Sequence, residues 1–309
     1  MVVDVQHLNK AFGRVKAVDD VSFNIHAGQI FGFVGPNGAG KTTTMRILAT
    51  LEEQDSGDIF FDSFSIQEDP EAARRAIGYV PDSLPSHRDI TVFEFLDFFG
   101  RAYGLRGGQL KSAISNVVEF TGLTEMLNKT LASLSKGIKQ RVSVGRALIH
   151  NPPVMLLDEP AAGLDPRARV ELRELLSALA GMNKAILISS HILTELTEIC
   201  SGVVIIERGR ILAQGTVSEI LKKGHSNRNL SVSGTGETSF LKHELLSCPG
   251  VVDARIEGSK VVASIEGGDD IQAQILNQLV SKGCPICQFY AEETDLEDIF
   301  MEITKGEVQ

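Results

Sequence analysis

The run Gly35-Pro36-Asn37-Gly38-Ala39-Gly40-Lys41-Thr42-Thr43 carries the clearest chemistry in this chain. It fits G-x-x-x-x-G-K-[S/T], in which glycines let successive backbone N–H groups curve around phosphate oxygens. The lysine of such a loop reaches the outer phosphates of a nucleotide, and the hydroxyl after it can ligate Mg²⁺. A helix opening directly behind the loop points its positive end at the same anion. Lys41 and Thr42 stand at those positions, with Gly35 to Gly40 and Thr43 as backbone contacts.

A second segment supplies carboxylates. Val154-Met-Leu-Leu-Asp158-Glu159 is an apolar run of strand length ending in two acids. At a strand end beside a phosphate loop, Asp158 is placed to hold Mg²⁺ through a water. Glu159 is placed to polarise an attacking water or accept its proton. His191 follows the run Ile186 to Ser190, and at the C-terminal edge of a parallel sheet it can donate to a γ-phosphate.

These residues need strands behind them and helices between them. Strands are predicted at Val2–Leu8, Val21–Ile25, Ile30–Val34, Phe60–Ile66, Ile77–Val80, Val154–Leu157, Ala185–Ser189, Val203–Glu207 and Arg210–Gln214. Helices are predicted at Lys41–Leu51, from Thr91 to near Gly104, at Leu110–Phe120, Gly137–Ile149 and Pro166–Leu179, and from Thr216 to Lys223. Capping boxes at Thr91-Val-Phe-Glu94 and Thr216-Val-Ser-Glu219 open two of them. Buried strands alternating with helices imply an α/β fold with a mainly parallel sheet. The helical stretch from about 88 to 150 reads as an inserted subdomain.

Leu134-Ser135-Lys136-Gly137-Ile138-Lys139-Gln140-Arg141 begins with a good N-cap. Here the chain resembles the ABC-type ATPase family, whose signature is L-S-x-G-x-x-Q-R. The resemblance covers about residues 1–220. It takes in the phosphate loop, this signature, the Asp158-Glu159 strand end, Gly163-Leu-Asp165 and His191, in the family's order. It implies a P-loop NTPase of ABC type that binds and hydrolyses ATP with Mg²⁺. It implies that Ser135 and Gly137 contact the γ-phosphate held by a second subunit, that Asp165 lies at the dimer seam and that Phe12 stacks on adenine. This sequence departs from the family twice. Asp82 stands where Gln is usual, adding a charge near the metal while losing a hydrogen-bond donor. The loop after Glu159 reads Ala161-Ala162-Gly163-Leu164-Asp165, with Ala where a Ser is common.

The polar stretch Lys222–Asn229 separates a second domain, placing the boundary between 1–224 and 225–309. Beyond it the elements read strand (Leu230–Gly234), helix (Ser239–Leu246), strands (Val251–Glu257, Lys260–Glu266), helix (Ile271–Lys282) and strand (Pro285–Ala291). That βαββαβ order is ferredoxin-like. A last helix is expected from Thr294-Asp-Leu-Glu297. The domain is expected to brace a dimer, with a small-molecule sensor and a passive stabiliser as rivals. Cys284-Pro-Ile-Cys287 has redox spacing but lies in a predicted strand, where positions three apart face opposite ways.

The 309 residues carry a formal charge of −10, which argues against nucleic-acid partners. Four scattered cysteines suit a reducing compartment. No stretch approaches the roughly 18–20 apolar residues of a membrane span. The resemblance, with the extra C-terminal domain and the wording Leu134-Ser-Lys-Gly-Ile-Lys-Gln, implies the ATP-hydrolysing subunit of an export-type ABC transporter, a homodimer on the inner face of the cell membrane. It would power separate membrane-spanning permease subunits through a surface within Asp82–Tyr103, where Phe93, Phe95, Phe98 and Phe99 are too many for one buried face. A soluble ABC-type ATPase unconnected with transport is the competing class.

Overall fold

The most apolar strands of the chain lie side by side in one sheet. The computed structural model describes residues 2–62, 64–83, 89–192, 196, 199–223 and 228–291. Its strands are β1 (Val2–Phe12), β2 (Val15–His26), β3 (Ile30–Val34), β4 (Ser56–Phe61), β5 (Phe64–Ser65), β6 (Ile77–Val80), β7 (Val154–Leu157), β8 (Ala185–Ser190), β9 (Gly202–Glu207) and β10 (Arg210–Thr216). The helices among them are α1 (Lys41–Leu48), α2 (Pro70–Ala76), α3 (Val92–Ala102), α4 (Gly107–Phe120), α5 (Lys136–Leu148), α6 (Pro166–Gly181) and α7 (Val217–Lys223).

The central sheet has the order β10-β9-β3-β8-β7-β6, parallel except for β10. Every residue of β7, β8 and β9 is buried, as strands covered on both faces must be. β10 lies at the edge, and none of its residues is fully buried. A second, antiparallel sheet, β2-β1-β4-β5, shares an apolar core with the first through Phe23, Phe33, Ile59 and Leu187. α3, α4 and α5 form the inserted helical region. α3 opens with the expected capping box, Thr91 and Glu94 each bonding the other's backbone N–H.

Three local expectations are corrected. The run Phe60–Ile66 is not one strand: Asp62, with φ 52°, turns the chain so that Phe61 pairs with Phe64. Helix α2 was not foreseen, although Asp69 caps it and Pro70 opens it. β1 and β2 form a hairpin longer than their apolar cores, because cross-strand pairing carries polar Lys10 and Lys16 into the ladder.

The chain divides into two compact units at Val217/Ser218, where the sequence placed its boundary at 224/225. The second contains β11 (Arg228–Gly234), α8 (Thr238–Leu246), β12 (Val251–Glu257), β13 (Lys260–Ile265), α9 (Asp269–Ser281) and β14 (Ile286–Ala291). Its antiparallel sheet runs β12-β13-β11-β14, the ferredoxin-like order, over a core of its own that includes Leu245, Val261, Ile275 and Leu279. Cys284 packs into that core while Cys287 is exposed. The helix expected from Thr294 lies outside the described residues.

His150, just past α5, makes the fold sensitive to acid. Its ring lies flat on Tyr103, with centroids 3.7 Å apart. Nε2–H donates to the Ile77 carbonyl at 3.1 Å, and the buried Nδ1 has no partner among the described residues. Burial pushes the imidazole down to about 4, and nearby Lys184 and Arg146 add to the effect. Between pH 4 and 6.5 the unfolded chain therefore binds the extra proton, so stability rises with pH across that window. On acidification from 6.5 to 4 the protein loses on the order of 2 kcal/mol that a His150→Gln variant keeps. Urea titrations at several pH values check this; equal pH slopes for the two proteins would exclude it.

Candidate functional site

Strand register brings the candidate residues to one edge. Val34 pairs with Ser190, Leu157 with Ile188 and Val80 with Leu157. The loops after β3, β6, β7 and β8 thus emerge together at the carboxyl ends of parallel strands, where ligands bind in open α/β sheets.

The loop after β3 is compact. Gly40 has φ 104°, and a Cβ there would stand 2.2 Å from the Ala17 carbonyl oxygen, so only glycine fits. α1 begins at Lys41 with no side-chain cap, leaving its first N–H groups for an anion. Lys41 is buried. Its Nζ donates to the carbonyls of Gly35 at 2.7 Å and Pro36 at 3.2 Å, and pairs with Glu159 Oε1 at 3.4 Å. Burial lowers the pKa of this ammonium, and the carboxylates of Glu159 and Asp158 oppose that shift.

Asp158 sits directly after β7 and is 1% exposed. Its Oδ1 accepts from the Ser189 hydroxyl at 2.6 Å and from Thr42 at 3.2 Å. Burial raises its pKa against those hydrogen bonds, and the charges of Asp82 and Glu159 raise it further. Glu159 has φ 47°, a conformation that costs a non-glycine residue strain. Its N–H donates to Ser189 Oγ at 2.9 Å, and its Oε2 lies 2.8 Å from His191 Nδ1, which must carry the proton to donate. Lys41, Glu159 and His191 thus form a continuous polar chain, with Thr42, Ser189 and Asp158 behind it.

Ser189 was missed by the sequence reading. A serine ending a buried strand just before His191 was the available signal. Its hydroxyl meets Asp158 and Glu159 at once, which only the pairing of β8 with β7 creates. Asp82, two residues past β6, lies beside this group, since Asp158 N–H donates to the Val80 carbonyl at 2.8 Å.

The other candidates stand apart. Ser135 caps α5, accepting from Ile138 N–H at 3.4 Å, and Asp165 caps α6, accepting from Ala168 N–H at 2.9 Å. A Cβ on Gly137 would lie 3.0 Å from the Cβ of Ala168, so the two helix starts are neighbours. No hydrogen bond or ion pair among the described residues joins residues 135–137 to the phosphate loop. Phe12, at the end of β1, is half exposed, with the Lys10 ammonium 5.3 Å from its ring centroid.

Phosphate loop, buried strand-end carboxylate and parallel sheet define a P-loop ATPase cassette. Residues 18–162 match the family described as ABC transporter, and residues 215–304 match the ATP-binding protein DrrA1-3-like C-terminal domain. The Nod factor export ATP-binding protein I of Ralstonia nicotianae is 30% identical, over all of this chain and 95% of its own. The linearmycin resistance ATP-binding protein LnrL of Bacillus subtilis (strain 168) is 29% identical over 98% of each chain. A solved structure of an ATP-binding subunit of an ABC transporter superposes with a TM-score of 0.66 at 30% identity, covering 72% of this chain and 93% of that one. This chain belongs to the family of ABC transporter ATP-binding subunits, which are ATPases. Among the described residues no helix is long and apolar enough to cross a membrane.

Removing the Lys41 ammonium takes away a charge-assisted contact to phosphate. Lys41→Ala should weaken nucleotide binding by about tenfold or more, while the far-ultraviolet circular dichroism spectrum keeps its parental shape. Titration with a fluorescent ATP analogue checks this, and parental affinity in the variant would remove Lys41 from the site.

Proposed function

We propose that this chain works as a homodimer that hydrolyses ATP to drive export through separate membrane-spanning permease subunits. The observation that carries the proposal is the polar chain Lys41–Glu159–His191 at the carboxyl edge of the sheet, backed by buried Asp158. The export assignment rests on the relatives, one named for Nod factor export and one for linearmycin resistance.

The residues fit a divalent cation. Asp158 is a buried carboxylate with no ion pair among the described residues, and both its hydrogen bonds fall on Oδ1. That leaves Oδ2 lone pairs for a further partner. Asp158, Thr42 and Asp82 are the residues that would hold Mg²⁺. When bound, the ion neutralises charge on the terminal phosphates.

The remaining work belongs to side chains. Lys41 moves from the loop carbonyls onto the β- and γ-phosphates. That releases Glu159 to take a proton from the attacking water, and His191 orients Glu159 and donates to the γ-phosphate. Phe12 supports the adenine. Ser135 and Gly137 of one copy face the γ-phosphate held by its partner, and Asp165 lies at the seam. ATP then closes the pair and hydrolysis opens it. The membrane subunits dock within Asp82–Tyr103, where Phe93 is 46% and Phe98 64% exposed. The chain lies on the inner face of the membrane, and the C-terminal domain, 225–309, braces the dimer.

Glu159→Gln tests the reading, because an amide keeps the shape and loses the base. ATP binding should persist while turnover falls by about a hundredfold or more, and size-exclusion chromatography with ATP should show a trapped dimer. Parental turnover in this variant would end the general-base role.

A further inference from the structure

A groove of about 720 Å³ opens between α4 and the end of α6. Val117, Leu148 and Leu179 are buried along it, and Phe120 and Met182 add further apolar surface. Lys184 lines the same groove and is only 8% exposed. Its ammonium donates to Asn151 Oδ1 at 2.8 Å and to the Pro152 carbonyl at 2.6 Å. Asn151 is itself part of the groove wall. An ammonium has three N–H donors, so one is left over. Both acceptors are neutral, and among the described residues no carboxylate forms an ion pair with Lys184. Burial lowers the pKa of this group, with no acid among its neighbours to oppose the shift. The uncapped first turn of α4 reaches the groove through Gly108 and Gln109, which brings the positive end of a helix to it. A buried cation without a counter-charge is costly, and an anion supplied from outside removes that cost.

The groove is separate from the strand-end site. Lys184 precedes β8 and Ser190 ends it, so the two lie at opposite ends of a six-residue strand, about 20 Å apart. We infer that this groove binds a monoanionic amphiphile, a carboxylate carried on an extended apolar chain. Lys184 meets the carboxylate with its remaining N–H, and the chain lies against Phe120, Leu179 and Met182. One buried ammonium balances one negative charge, whereas a phosphate dianion leaves charge over beside apolar walls. A bare inorganic anion covers none of the apolar surface. The volume falls within the roughly 300–1,000 Å³ of small-molecule pockets and is ample for a chain of about ten carbons. A ligand seated there touches α4 of the inserted region together with the end of α6, so its affinity depends on how those two are placed.

Isothermal titration of the full chain with sodium decanoate, below its micelle-forming concentration, tests the site. Decylammonium chloride is the probe of equal chain length and opposite charge. Decanoate should bind once per chain with a dissociation constant below about 1 mM, and decylammonium at least about tenfold more weakly. Lys184→Met should weaken decanoate by at least about tenfold, while a fluorescent ATP analogue keeps its parental affinity. Ala113→Phe narrows the groove and leaves Lys184 in place, so it should weaken both probes. Absence of saturable decanoate binding, equal binding of the two probes to the parent, or parental decanoate affinity in Lys184→Met would each overturn the inference. Should Lys184→Met fail to fold, the charge comparison on the parent and the Ala113→Phe titration decide it, and unchanged decanoate affinity in Ala113→Phe overturns it.

Discussion

The hydrogen bonds onto buried Asp158 hold the working edge of this molecule together. One carboxylate oxygen accepts from Thr42 at the start of α1 and from Ser189 at the end of β8, and the backbone N–H of the same residue bonds β6 at Val80. Elements from four parts of the sequence are thereby fastened at one point. A carboxylate 1% exposed with no ion pair among the described residues is costly, and two hydroxyl donors offset only part of that cost. What remains is a buried carboxylate whose Oδ2 is left for a further partner.

The strain beside it points the same way. Glu159 adopts a left-handed backbone immediately after Asp158, so its side chain turns toward Lys41 and His191 instead of continuing the strand. Ser189 accepts its N–H, and that bond helps to hold the conformation. Lys41 occupies the loop with its ammonium on two backbone carbonyls, contacts that a phosphate can replace without large movement of the chain. Burial disfavours the charged amine, and the carboxylates of Glu159 and Asp158 oppose that shift.

The second unit is built on different terms. Its antiparallel sheet and two helices enclose a separate apolar core. Phe240, Leu246, Val252, Ile256 and Val280 are about half exposed on it.

Much of the candidate site was legible in the sequence, because its motifs are local. The phosphate loop, the apolar strand ending in Asp158-Glu159, and the caps Ser135 and Asp165 act through spacing along the chain, and spacing is what a sequence displays. The parallel sheet and the βαββαβ order of the C-terminal unit followed from alternation and periodicity for the same reason. The turn at Asp62 and helix α2 were hidden within an apolar run and a polar one, where local signals compete. Ser189 was hidden more deeply. Its place at a strand end close to His191 is a local signal, but it becomes a partner of Asp158 and Glu159 only when β8 pairs with β7 in a particular register. Tertiary structure alone decides which carboxylates are compensated, since compensation depends on distance in space.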